Sequence, residues 1–236
     1  MIGVQNFRSK CRTVWNDRVD LSWVARRRAS VGYLGWLNRG NLGDESMYVA
    51  HQEVSPKRLT RLPIQSLGFR LASKASVEAL VLGGGTLVGR REWGTRLEKA
   101  IEVFEPSRLL TFGVGVEEPQ FALSRGLISE KELDRQADLL RSFDRIGVRG
   151  PRSLRNLAEL GVKSEVLGDP ALVLKPRSGE RHPATRPRIL LSLAEVGDGY
   201  ERNADRMRRE VAMAARMLAG AVGGDLLGLA MEPADV

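Results

Sequence analysis

Three short glycine-bearing segments hold the residues best suited to chemistry. The first is Asn38-Arg39-Gly40-Asn41-Leu42-Gly43-Asp44-Glu45, the second Gly83-Gly84-Gly85-Thr86, and the third the run Leu109 to Val116 with glycine at 113 and 115. Glycine lets a backbone approach a ligand closely and turn its amides toward an anion, and a helix N-terminus behind such a loop adds a favourable dipole. Arg149 offers a planar fork that can grip a carboxylate or a phosphate through two hydrogen bonds. Asp44 is the best-placed carboxylate for taking a proton from a hydroxyl. Each of these residues also has a plainer use. Asp44 can cap a helix, Gly83 to Gly85 can relieve crowding between strand and helix, and Arg149 can form a surface ion pair. Asp169 before Pro170 is a turn former, and Ser153 in a first helical turn can bond only backbone. His51 reads as a surface or packing residue. On the sequence both sets of readings stand open.

Such loops need a scaffold, and the chain supplies the pattern of one. Short runs of Val, Leu and Ile alternate with stretches of helical periodicity, which predicts βαβ units and a parallel sheet. Strands are expected at Val31–Leu37, Val77–Leu82, Leu109–Val116, Ile146–Val148 and Glu165–Leu167. Helices are expected from about Glu45 to Glu53 with Asp44 as cap, at Arg96–Phe104, at Ser129–Phe143, and at Pro151–Leu160 with proline in its first turn. In a parallel sheet the carboxyl ends of the strands share one edge, which is where the glycine loops would meet. Residues 1–29 form a basic N-terminal extension, 30–175 a first Rossmann-type domain, and 176–188 a linker rich in proline and charge. Residues 189–236 begin a second Rossmann-type domain: a strand at Ile189–Leu193, a helix from about Asn203 to Leu218 and a strand at Asp225–Ala230. One strand-helix-strand unit leaves an apolar face uncovered, so this domain looks partial and a homo-oligomer is among the expectations.

Composition narrows the classes further. The chain has 236 residues, 42% of them hydrophobic, with net charge +8 and a pI near 10.1. All but seven of its 37 basic residues are arginine, scattered among acids, which argues against a nucleic-acid-binding stripe. The most apolar stretch, Val211 to Met231, is interrupted by Arg216 and Asp225, so no membrane span is expected. Charges at Arg8 and Lys10 precede any signal-peptide core, and a cytoplasmic location follows. Cys11 is the single cysteine, which leaves no multi-cysteine metal site.

Asn38 to Glu45 resembles the Asn-x-Gly-Asp/Glu motif of the polysaccharide pyruvyl transferases, and Leu82-Gly83-Gly84-Gly85-Thr86 is similar to their glycine triplet. Val148-Arg149 with Ser153-Leu154, then Leu160-Gly161-Val162 and Gly168-Asp169-Pro170, resembles their Arg-(x)3-Ser…Leu-Gly-Val…Asp-Pro run. The order and spacing hold over roughly residues 30–236. The resemblance implies a GT-B-like α/β architecture and transfer of a pyruvyl group from phosphoenolpyruvate, a donor substrate rather than a cofactor, to a saccharide or lipid-linked saccharide acceptor as a ketal. It implies catalytic roles for Asp44 and Arg149. Substrate contacts would fall to Asn38, Gly40, Asn41, Gly43, Gly83, Gly84, Gly85, Thr86, Ser153 and Asp169, with no metal. A late Ser-x-Arg-x-His-type motif of the family has no counterpart in place, because Ser178-Gly-Glu-Arg181-His182 lies in the linker with the wrong spacing. Weak phosphoenolpyruvate binding and no measurable transfer by this chain are therefore expected. Two other classes share the glycine loops: a GT-B glycosyltransferase using a nucleotide sugar, and a non-catalytic binding remnant.

Overall fold

Alternating apolar runs and helical stretches assemble into a parallel α/β sheet. The computed structural model describes residues 28–38, 41–64, 66–72, 75–174, 186–192 and 204–228. The chain divides into two compact units, one of Met1–Arg39 and Gly43–Leu174, the other of Gly40–Leu42 and Lys175–Val236. The first unit runs β1 (Arg28–Leu34), α1 (Leu42–Val54), β2 (Leu59–Arg61), α2 (Ser66–Leu71), β3 (Ser76–Leu82), β4 (Thr86–Val88) and α3 (Arg91–Phe104). It continues β5 (Arg108–Val116), α4 (Pro119–Ser124), α5 (Glu130–Arg141), β6 (Arg145–Val148), α6 (Pro151–Glu159), β7 (Glu165–Val166) and a 3-10 turn at Pro170–Val173.

The sheet order is β2-β1-β3-β5-β6-β7, with β4 also on β5, and every pairing is parallel. From β1 the chain steps outward to β2, then returns across to β3 and continues the other way. The order therefore reverses between β1 and β3, the place where open parallel sheets open a crevice beyond their carboxyl ends. Alternation along the strands sends neighbours to opposite faces. Leu34, Leu80, Leu82, Val114 and Val148 join a core with Leu97, Phe104, Leu140 and Leu157 from α3, α5 and α6. Tyr33, Leu59 and Val81 pack on the other face with Tyr48 of α1. Helix α5 starts on a full capping box, in which Ser129 and Glu132 each satisfy the other's backbone N–H.

Several boundaries move from those expected. Strand β1 starts at Arg28 and ends at Leu34, so Gly35 to Leu37 leave the sheet. Helix α1 starts at Leu42, which puts Asp44 in its first turn rather than at the cap; there its charge and that of Glu45 favour the helix dipole. The glycine triplet does not end a strand into a helix. Leu82 pairs with Thr111 and Thr86 with Gly115, the same register on both sides of the triplet, so β4 resumes the path of β3 after an interruption. The next helix begins only at Arg91.

In the second unit β8 (Arg188–Leu191) and β9 (Asp225–Gly228) pair in parallel around α7 (Ala204–Ala221). Leu190, Met213, Met217, Leu218 and Leu227 are exposed there. The expected ends of these elements at Leu193, Asn203 and Ala230 lie outside the described residues. Among the described residues no helix is long and apolar enough to cross a membrane.

Candidate active site

Strand β6 hands over to α6 through Arg149 and Gly150, and proline at the first helical position presets the turn. The N–H of Arg149 donates to the Val114 carbonyl at 3.0 Å, which holds its backbone to the end of the sheet. Its side chain runs back across β5: Nη2 donates to Thr86 Oγ1 at 3.0 Å, and Nη1 lies 3.9 Å from Asp169 Oδ2. Gly115 makes that path available. A Cβ there would stand 2.6 Å from Arg149 Nη2 and 2.9 Å from Thr86 Oγ1. Asp169 does double duty, since its Oδ1 accepts the Ala171 N–H at 2.9 Å and caps the 3-10 turn while Oδ2 faces the guanidinium. Both charged side chains stay partly exposed, as an anion site requires.

The glycine triplet is explained first by what packs on it. A Cβ on Gly83 would fall 2.1 Å from Tyr33 Cζ, one on Gly84 2.1 Å from Met47 Cε, and one on Gly85 2.7 Å from Asp44 Oδ1. Gly85 also has φ +83°, a conformation that glycine adopts without strain. The amides expected to face an anion are engaged within the protein. Gly83 N–H donates to the Leu34 carbonyl at 2.8 Å, Gly84 N–H to the Tyr33 hydroxyl oxygen at 3.0 Å, and Gly85 N–H to Met47 Sδ at 3.2 Å. Among the described residues, the Arg149 guanidinium and the Thr86 hydroxyl are donors this edge presents in place of those amides. The triplet's contribution is to let the Asp44 carboxylate come down onto Gly85, next to Thr86. Burial, with smaller help from the Asp44 charge, pushes the Tyr33 phenol above its ordinary range, while the Gly84 N–H acts against that shift. Tyr33 is thus a neutral prop beneath the triplet.

On the β1 side Asn38 is held in the left-handed region at φ 59°. Its N–H donates to Glu45 Oε1 and its Oδ1 accepts from Arg61 Nη1 at 2.8 Å, and the Arg61 guanidinium lies 4.5 Å over the Tyr48 ring. Asn41 directly precedes α1 and Gly43 lies in its first turn, while Gly40 and Ser178 to His182 lie outside the described residues. Ser153 is buried, with its Oγ accepting the Val116 N–H at 3.2 Å. His51 is buried too, one ring nitrogen 2.6 Å from the Met47 carbonyl and the other 2.7 Å from that of Phe112. Burial lowers its pKa, against the pull of the two carbonyls and of Asp169.

The structure thus brings Asp44, Gly85, Thr86, Arg149 and Asp169 to one edge, with Asn38 on the neighbouring strand end. Sequence reasoning missed Tyr33, Arg61 and Asn156, and it singled out Gly115 without its part in clearing a path for Arg149. Gly115 was visible in the Gly-Val-Gly run, and Asn156 as a second polar residue one turn past Ser153. Tyr33 and Arg61 carry no local signal.

A family model for polysaccharide pyruvyl transferase matches residues 15–220 of the chain, a span that contains every residue just named. Among curated proteins no match is found.

Proposed function

Because the chain belongs to the polysaccharide pyruvyl transferase family, we propose that it takes the pyruvyl group of phosphoenolpyruvate and sets it, as a ketal, on two hydroxyls of a saccharide or lipid-linked saccharide destined for a cell-surface polysaccharide. The vinyl CH2 gains a proton and becomes methyl, C2 forms two C–O bonds to the acceptor oxygens, and the C–O bond to phosphate breaks; of the two hydroxyl protons, one balances that gained by the methyl carbon and the other, relayed by a base, leaves on the phosphate. The proposal includes a GT-B-like architecture built of two Rossmann-type units.

The observation that supports this reading most is the Arg149 guanidinium, braced by Thr86 and Asp169 at the carboxyl edge of the sheet, over the end of β5, and partly open to solvent. A donor carrying both a carboxylate and a phosphate needs such a fork. In this reading Arg149 binds one anionic group, Thr86 adds a hydroxyl donor, and Asp169 sets the guanidinium's angle. Asp44 takes the proton of an attacking hydroxyl. Asn38 and Gly43 shape the acceptor side, and Gly83 to Gly85 keep the floor low enough for Asp44 to reach it.

The test is incubation with phosphoenolpyruvate and saccharides bearing β-linked galactosyl or N-acetylmannosaminyl ends, following phosphate release and acceptor mass. A gain equal to pyruvic acid less water, one per phosphate released, is the product this reading predicts, and its absence would leave standing the expectation drawn from the missing Ser-x-Arg-x-His-type motif. Sugar transfer from a nucleotide sugar instead would assign the site to a glycosyltransferase.

A further inference from the structure

Strand β5 outlasts its neighbour β6. The last register pair between them is Val114 with Val148, and the Arg149 N–H closes the ladder on the Val114 carbonyl. On its other side β5 continues, with Gly115 N–H donating to the Gly85 carbonyl and Glu117 N–H to that of Val88. Backbone groups alternate in direction along a strand, so the N–H and C=O of Val116 face the side that β6 has left. Val116 is buried, and an unmet donor and acceptor there would be costly.

Both are met from α6. Ser153 Oγ accepts the Val116 N–H at 3.2 Å, and Asn156 Nδ2 donates to the Val116 carbonyl at 3.1 Å. These two side chains share the inner face of the helix with Leu157, at 9% and 4% exposure, positions where an amphipathic helix ordinarily carries apolar residues. A hydroxyl and a carboxamide one turn apart thus stand in for the missing strand. What they hold matters to the site. Thr86 is paired to Gly115, the Arg149 side chain lies across Gly115, and Arg149 itself leads into α6. The spacing between α6 and the end of β5 sets whether guanidinium and hydroxyl meet.

We propose that Asn156, together with Ser153, is a positioning residue: the pair clamps Val116 to α6 and thereby fixes the Arg149 guanidinium against Thr86. The effect on ligand rests on the phosphoenolpyruvate reading above, whereas the clamp itself does not. The experiment therefore has two arms on the full chain. In the first, backbone amide exchange is followed in Asn156→Ala, Asn156→Asp, Ser153→Ala and Ser153→Thr. Asn156→Asp keeps the volume and loses the donor; Ser153→Thr keeps the hydroxyl. Faster exchange at Val116 in the first three and near-normal exchange in Ser153→Thr is the expected result, and unchanged exchange at Val116 overturns the clamp.

In the second arm phosphoenolpyruvate is titrated into the same variants with and without Arg149→Ala. Asn156→Ala and Ser153→Ala should each weaken binding about tenfold alone, yet less than about twofold once Arg149 is absent, because coupled residues do not add. Equal losses in both backgrounds would make the pair a purely structural support and overturn the positioning role. Should the unsubstituted chain bind no phosphoenolpyruvate, the donor reading fails, and the exchange at Val116 alone decides the clamp.

Discussion

Arg149 meets two partners of unequal grip: Thr86 Oγ1 at 3.0 Å holds one terminal nitrogen, while the Asp169 carboxylate stands 3.9 Å from the other. In the proposed reading the donor's anionic group approaches the more loosely held nitrogen, while Thr86 keeps its hold on the other. Hydrogen bonds to charged groups contribute about 1.5–3 kcal/mol each, so Arg149→Ala should weaken phosphoenolpyruvate binding by about 10- to 150-fold. Arg149→Lys keeps the charge but loses the fork, and should fall between the two in the same titration. His51 gives a second residue-level expectation, this one about pH. Its folded-state pKa lies below the ordinary 6.5 because of burial. The unfolded chain therefore takes up the proton first, and stability should decline as pH drops below about 6.5. Melting curves from pH 8 to pH 5 should show that decline, and it should shrink in His51→Gln, which removes the titrating group.

Elements were legible where their punctuation was local. Helix α5 announced itself by Ser129 and Glu132 three residues apart, α6 by Pro151, and β3 by six consecutive residues suited to a strand. Ser129→Ala removes a cap worth about 1 kcal/mol and should lower the melting temperature by a few degrees without touching ligand binding. Strands β2 and β4 could not be read, because three residues carry too little periodicity and β4 owes its existence to register with β5 across a break. The same limit hid the meaning of the triplet. Glycines facing a ligand and glycines facing Tyr33, Met47 and Asp44 look alike in one dimension. Gly83→Ala and Gly84→Ala, each driving a Cβ to 2.1 Å from a buried side chain, should cost about 1–3 kcal/mol by overpacking, measurable by denaturant titration. Such a loss with little change in phosphoenolpyruvate affinity per folded molecule would separate packing from ligand contact.

For the whole molecule, family membership and the sheet edge point the same way: a parallel α/β unit that carries Thr86, Arg149 and Asp169 at one edge of its sheet, with Asp44 beside them in the first turn of α1. The net charge of +8 favours an anionic donor at long range, so its affinity should fall with added salt. The central claim is that this edge takes phosphoenolpyruvate through Arg149. Calorimetric titration of phosphoenolpyruvate into the chain and into Arg149→Ala, with inorganic phosphate and a uridine diphosphate sugar as competitors, tests it most directly. Saturable binding that phosphate displaces, the nucleotide sugar does not, and Arg149→Ala weakens at least about tenfold is the predicted result. Equal phosphoenolpyruvate affinity in the two proteins, or preference for the nucleotide sugar, would contradict it.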